Sequence, residues 1–133
     1  MKRSVWLSLS PYGYEVLLYK GSWKQLAAYM RTKNAEVGED PRCAAAHVHM
    51  VNGGHQFSII WMPYWESSIT NHGALVHECI HACAACLEHT DVVATLKTGD
   101  HEALTYLVED LYKQCAYNLG TFNQGTLDKH LES

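Results

Sequence analysis

The chain has 133 residues, is 47% hydrophobic and 18% charged, and carries a formal net charge of −4 at pH 7. Those values describe one globular domain over residues 1–133, large enough to bury a core without disulfide staples. The acidic balance and the lack of a Lys/Arg-rich stripe argue against nucleic acid as a partner, and no apolar run approaches the roughly 20 residues that span a bilayer.

Residues 4–10 alternate and read as a strand, Pro11-Tyr12-Gly13 as a turn, and 14–20 as a second strand, so the pair predicts a hairpin. The opening Met1-Lys2-Arg3 is a weak match to a signal peptide, because Ser8, Ser10, Pro11 and Glu15 interrupt the apolar stretch behind it. A soluble, cytoplasmic protein is expected. Ser22 is placed to cap a helix over about 23–33, with Leu26, Ala27, Tyr29 and Met30 spaced for one buried face. Residues 34–42 are polar, contain Gly38 and Pro41, and read as a loop.

A third strand is predicted over 44–51, a tight turn at Asn52-Gly53-Gly54, and a fourth strand over 55–62, ended by Pro63. Thr70 or Asn71 caps a long apolar helix over about 72–88. Residues 89–99 form a connection with a short helical turn, closing at Gly99, and Asp100 caps a last helix over about 101–118 that stops near Gly120. The polar tail 121–133 is expected to be loosely ordered. The order is ββ-α-ββ-α-α: an α+β fold, an antiparallel sheet packed on helices.

Of the five cysteines, Cys79, Cys83 and Cys86 crowd into one predicted helix, where neighbours at helical spacing do not meet disulfide geometry. Cys43, Cys115 and these three read as reduced thiols, most of them small core residues. A second metal site on the helical cysteines is the sharper alternative.

That helix carries His77-Glu78-Cys79-Ile80-His81, a complete H-E-x-x-H. Residues four apart lie about 40° apart around a helix, one turn along, so both imidazoles can reach one tetrahedral ion. Glu78, about 100° from His77, flanks the site and can act as a base without being a ligand. With nine His and nine Glu in the chain, chance supplies roughly 0.04 such matches. The flanking residues Ala74, Leu75, Val76, Ile80, Ala82, Ala84 and Ala85 are apolar. Burying two His and a Glu among them is costly unless a metal satisfies them. The plainer reading is an exposed His pair with a local hydrogen bond.

A catalytic zinc takes three protein ligands and keeps one position open. The extended form of the motif is absent, with Ala84 at its Gly position and Leu87 at its last His position. His89, two turns beyond His81, is too far to join the same ion. Glu102 opens the following helix, on which Leu104, Leu107, Val108, Leu111 and Cys115 make the apolar face while Glu102, Tyr106 and Glu109 share the other side. Glu102 is the preferred third ligand and His101 the competitor; a solvated first-turn glutamate is the plainer alternative.

His77-Glu78-x-x-His81 followed by Glu102-Ala103-x-x-Tyr106 resembles the minimal gluzincin pattern of zincin metallopeptidases, two His from one helix and a Glu from the next. The chain also resembles small phage- and prophage-encoded proteins of predicted metallopeptidase type, over about residues 57–115. The resemblance implies one Zn²⁺ held by His77, His81 and Glu102, Glu78 as general base, and a peptide or protein substrate. For a phage-encoded protein it implies residence in the host cytoplasm. In thermolysin-like members an Asp four residues after the third ligand orients a metal-bound His; here Tyr106 holds that place, as a ligand-orienting group or a donor to a developing oxyanion. The alternative is a non-catalytic phage-encoded zinc-binding protein that modulates a host protein, which has no need of the intact Glu78.

Other residues have two readings. His47 and His49 share a strand face and either line the cleft or stand exposed. In zincins generally the strand nearest the active helix pairs with extended substrate, which assigns that part to one strand of the 44–62 hairpin. Trp61, Tyr64 and Trp65 either wall a substrate pocket or pack in the core. Glu109 and Asp110 read as a solvated helix face.

Overall fold

The computed structural model describes residues 2–90 and 101–132, with side chains over 2–90 and 102–123. Strand β1 (Ser4–Leu9) pairs antiparallel with β2 (Tyr14–Lys20), helix α1 (Trp23–Arg31) follows, and β3 (Ala46–Asn52) pairs antiparallel with β4 (His55–Met62). Helices α2 (Ile69–His89) and α3 (His101–Glu132) complete the expected ββ-α-ββ-α-α order and α+β class. Among the described residues no helix is long and apolar enough to cross a membrane.

The sheet order is β1-β2-β4-β3. Its central pair, β2 with β4, is parallel, so the sheet is mixed where the sequence predicts an antiparallel one. Burial explains why these two strands meet. Val16 to Tyr19 and Phe57 to Met62 are buried without interruption, as suits strands covered on both faces. Each is the second strand of its hairpin, and α1 with the loop after it returns the chain so that both run the same way. Gly53 and Gly54, at φ +59° and +86°, form the two-residue turn of the β3–β4 hairpin, a conformation that glycine adopts without steric cost.

Residue parity divides the interior in two. Leu17, Tyr19, Ile59 and Trp61 face α1 and meet Trp23, Leu26 and Met30. Val16, Leu18, Ile60 and Met62 face the other way and meet Leu75, Cys79, Cys83 and Cys86 of α2 and Leu111, Cys115 and Leu119 of α3. Fully burying each aliphatic side chain contributes about 1.5–3 kcal/mol.

Helix ends follow local chemistry. Ser22 caps α1 with a capping box: its Oγ accepts from Gln25 N at 3.1 Å, and Gln25 Oε1 accepts from Ser22 N at 2.9 Å. Helix α2 begins at Ile69 because Ser68 is its cap, accepting from Asn71 N at 3.2 Å. Asn71, one of the predicted caps, instead turns Oδ1 to Glu66 N at 2.9 Å. The predicted helical turn within 89–99 and the Asp100 cap lie outside the described residues.

Helix α3 does not stop near Gly120; it runs to Glu132, so the expected loose tail is helical. Leu119 and Phe122 are both buried and carry the apolar stripe across Gly120. A mid-helix glycine costs about 1 kcal/mol, less than burial of one phenylalanine returns. Asn123 Nδ2 also donates to the Trp65 carbonyl at 2.7 Å, fastening this stretch to the loop before α2.

Candidate metal centre

Helix α2 buries Leu75, Cys79, Ala82, Cys83 and Cys86 and turns His77 and His81 outward. The two imidazoles converge. Their Nε2 atoms lie 3.2 Å apart, with the rings edge to face at 4.8 Å between centroids. Two nitrogens on one tetrahedral zinc, each about 2.0–2.1 Å from the ion, are about 3.3–3.4 Å apart. The pair therefore fits two corners of a zinc site.

Glu78 sits on the sheet-side flank of the pair and is only 8% exposed. Among the described residues the buried polar or charged side chains are Ser58 and Glu78. Its Oε1 is 3.9 Å from His77 Nε2. Burial raises the Glu78 pKa above the ordinary carboxylate value, and positive charge on His77 and His81 opposes the rise. A carboxylate kept dry beside two imidazoles is positioned to exchange a proton at this face.

Glu102 and Tyr106 both stand exposed on the first turns of α3, Tyr106 at 71%. Helix α3 meets the flank of α2 that carries Val76 and Ile80; these share a groove with Leu104, Thr105, Val108 and Tyr112. Among the described residues no three His, Cys, Asp or Glu side chains gather as a metal-binding group. The structure thus draws His77 and His81 together and does not gather Glu102 with them. The His101 side chain lies outside the described residues.

A residue that the sequence left between two readings stands on the sheet side. The hairpin register sets His47 opposite Ile60 and His49 opposite Ser58, so both face α2. The His47 ring stacks on His81, 5.9 Å between centroids and 15° from parallel. Its Nε2 is 2.7 Å from Ser58 Oγ, which is 2.7 Å from the Tyr14 hydroxyl. Tyr14 and Ser58 are buried. Burial, and after it charge on His81 and His49, lowers the His47 pKa to about 4, so its ring is neutral at pH 7. His47, His49, Gln56, His81, Glu88 and His89 surround a cavity of about 570 Å³ between β3 and α2. The strand alternation held the signal for His47, but only the register and the position of α2 give the face a meaning.

β3 is the sheet edge beside this cavity, whereas β4 is enclosed between β2 and β3. Among the described residues β3 is the strand of the 44–62 hairpin with an edge that no other strand pairs, where an extended chain could add. Trp61 and Trp65 are core residues. Trp61 Nε1 donates to the Gly21 carbonyl at 2.8 Å and its ring packs edge-on against Trp23, while Trp65 packs against His72. Tyr64 is exposed and donates to Glu66 Oε2 at 3.0 Å. Cys79, Cys83, Cys86 and Cys115 are free and buried, and Cys43 is free and exposed. Glu109 pairs with Lys113 at 2.9 Å and Asp110 accepts from Gln114 at 2.9 Å, both on the solvated face of α3.

No family model, curated protein or solved structure matches the chain.

Proposed function

We propose that the chain is a zinc-dependent peptide hydrolase. The observation that carries this reading is the His77–His81 pair, Nε2 to Nε2 at 3.2 Å, with the buried Glu78 carboxylate beside it. His77 and His81 would hold the ion, and Glu102, which stands exposed at the start of α3 and is not gathered with the pair, would have to close on the ion as the third ligand. Bound zinc supplies Lewis acidity, making water a nucleophile near neutral pH and polarising a carbonyl.

Glu78 takes the proton of the attacking water and hands it to the leaving amine. Its burial suits that task, since a desolvated carboxylate is a stronger base than one in water. Tyr106 donates a hydrogen bond to the oxyanion that develops on the substrate carbonyl. The substrate, a peptide or protein segment in extended form, lies along the open side of β3. A non-catalytic zinc protein has no use for a buried carboxylate beside its ligands, and this favours the enzyme over that alternative.

The test compares wild type, Glu78→Gln and His77→Ala for zinc content and for cleavage of a peptide library. The hydrolase reading expects Glu78→Gln to keep its zinc and lose cleavage by about 10²–10⁴-fold, and His77→Ala to lose both. Cleavage by Glu78→Gln at the wild-type rate refutes the mechanism.

A further inference from the structure

The polar relay that reaches His81 from the sheet has a direction, and the direction gives His47 a task. Tyr14 is a buried phenol, which keeps its proton at neutral pH and needs an acceptor for it. Among the described residues its hydroxyl bonds Ser58 Oγ at 2.7 Å. Ser58 then has its own proton to place, and His47 Nε2 lies 2.7 Å away. If Nε2 carried the ring proton, Ser58 would accept from both neighbours and leave its own proton unpaired in a fully buried site. That arrangement is disfavoured, because an unmade buried hydrogen bond is costly. Ser58 therefore donates to Nε2, and the ring proton of His47 sits on Nδ1.

We propose that His47 is a third functional imidazole of this centre, held as the Nδ1–H tautomer by the buried Tyr14–Ser58 relay, and that it donates a hydrogen bond to an anionic oxygen bound beside His81. The ring is placed for it: it lies 5.9 Å from His81, nearly parallel to it, on the wall of the same cavity. With Nε2 engaged by Ser58, His47 is a donor to the ligand and not a further ligand of the ion. The anion is a carboxylate or a carbonyl oxygen that gathers charge, the chemistry of a peptide substrate and its product. This role rests on the hydrolase reading. Tyr14 and Ser58 act through His47 and are positioning residues.

Two measurements test it. Long-range ¹H–¹⁵N correlation spectra of the metal-free chain report the tautomer of His47 directly. Nδ1–H is expected in the wild type, with a mixed population in Ser58→Ala and Tyr14→Phe; Nε2–H in the wild type overturns the relay. Acetohydroxamate, an anionic oxygen donor that needs no known substrate, is then titrated into the zinc-loaded chain. His47→Ala is expected to bind zinc as the wild type does and acetohydroxamate about tenfold more weakly. His47→Asn, whose amide nitrogen reaches the Nδ1 position, is expected to recover much of that loss. Unchanged acetohydroxamate affinity in His47→Ala, or loss of zinc from it, overturns the anion role. A wild type that takes up no zinc refutes the hydrolase reading and the anion role together, while the tautomer spectra still decide the relay on their own.

Discussion

Zinc should raise the melting temperature of the wild-type chain and leave His77→Ala unmoved. The His77 side chain is 68% exposed, so its removal from the metal-free fold costs no more than about 0.5 kcal/mol. Any larger difference between the two proteins must come through the metal. A ligand that binds only the folded state stabilises it by about 2.7 kcal/mol when its free concentration is a hundredfold above Kd. For 133 residues the unfolding entropy is about 0.28 kcal/mol/K, so zinc at that level raises Tm by roughly 10 °C. Differential scanning fluorimetry with a buffered zinc series measures the shift, with Glu78→Gln as a control expected to keep it. A wild-type Tm that ignores zinc, or an equal rise in His77→Ala, refutes the argument from imidazole spacing.

Three further predictions concern the fold around the site. Burial holds the pKa of His47 in the folded chain at about 4, below the 6.5 of an ordinary histidine; the stability this provides is complete above 6.5 and is lost as pH falls through 6.5 toward 4. The shift corresponds to as much as about 3 kcal/mol, which screening at this partly exposed ring reduces to about 1–2 kcal/mol. Urea unfolding of metal-free protein should show that much more acid sensitivity in wild type than in His47→Gln, and parallel pH profiles contradict it. Phe122→Ala should cost about 3–5 kcal/mol in the same assay, because Phe122 is 2% exposed on the stretch of α3 beyond Gly120; a cost under about 1 kcal/mol means that this stretch does not pack. Ellman's reagent should find one fast thiol, Cys43, since Cys79, Cys83, Cys86 and Cys115 are buried and burial pushes the Cys86 thiol up to about 11. A second fast equivalent in folded protein refutes that assignment.

The elements were legible where local chemistry decides them. The strand over 55–62 is found with the predicted bounds because Gly53-Gly54 and Pro63 bracket it, and Ser22 caps α1 as its spacing implies. The parallel β2–β4 pair was not legible, because alternation tells which way a side chain points but not which strand lies alongside. The length of α3 is hidden from the sequence for a related reason. Gly120 looks like a stop until Phe122 is known to be buried beneath it, which is a fact of packing. At the site, the His77–His81 convergence follows from helical spacing alone, and the structure reproduces it. The meeting of His47 with His81 required knowing that β3 is the edge strand and lies beside α2. How Glu102 relates to the pair depends on the angle at which α3 meets α2, and no periodicity within either helix encodes that angle.

The sheet divides the molecule into chemically separate halves. The tryptophan pair Trp23 and Trp61 belongs to one half, and the cysteine-rich layer beneath the imidazoles to the other. Substitutions confined to the α1 layer can therefore accumulate, or be engineered for robustness, with little disturbance of the helix that bears the histidines. Changes under α2 have no such latitude, since each buried thiol there also sets the depth at which His77, Glu78 and His81 are held.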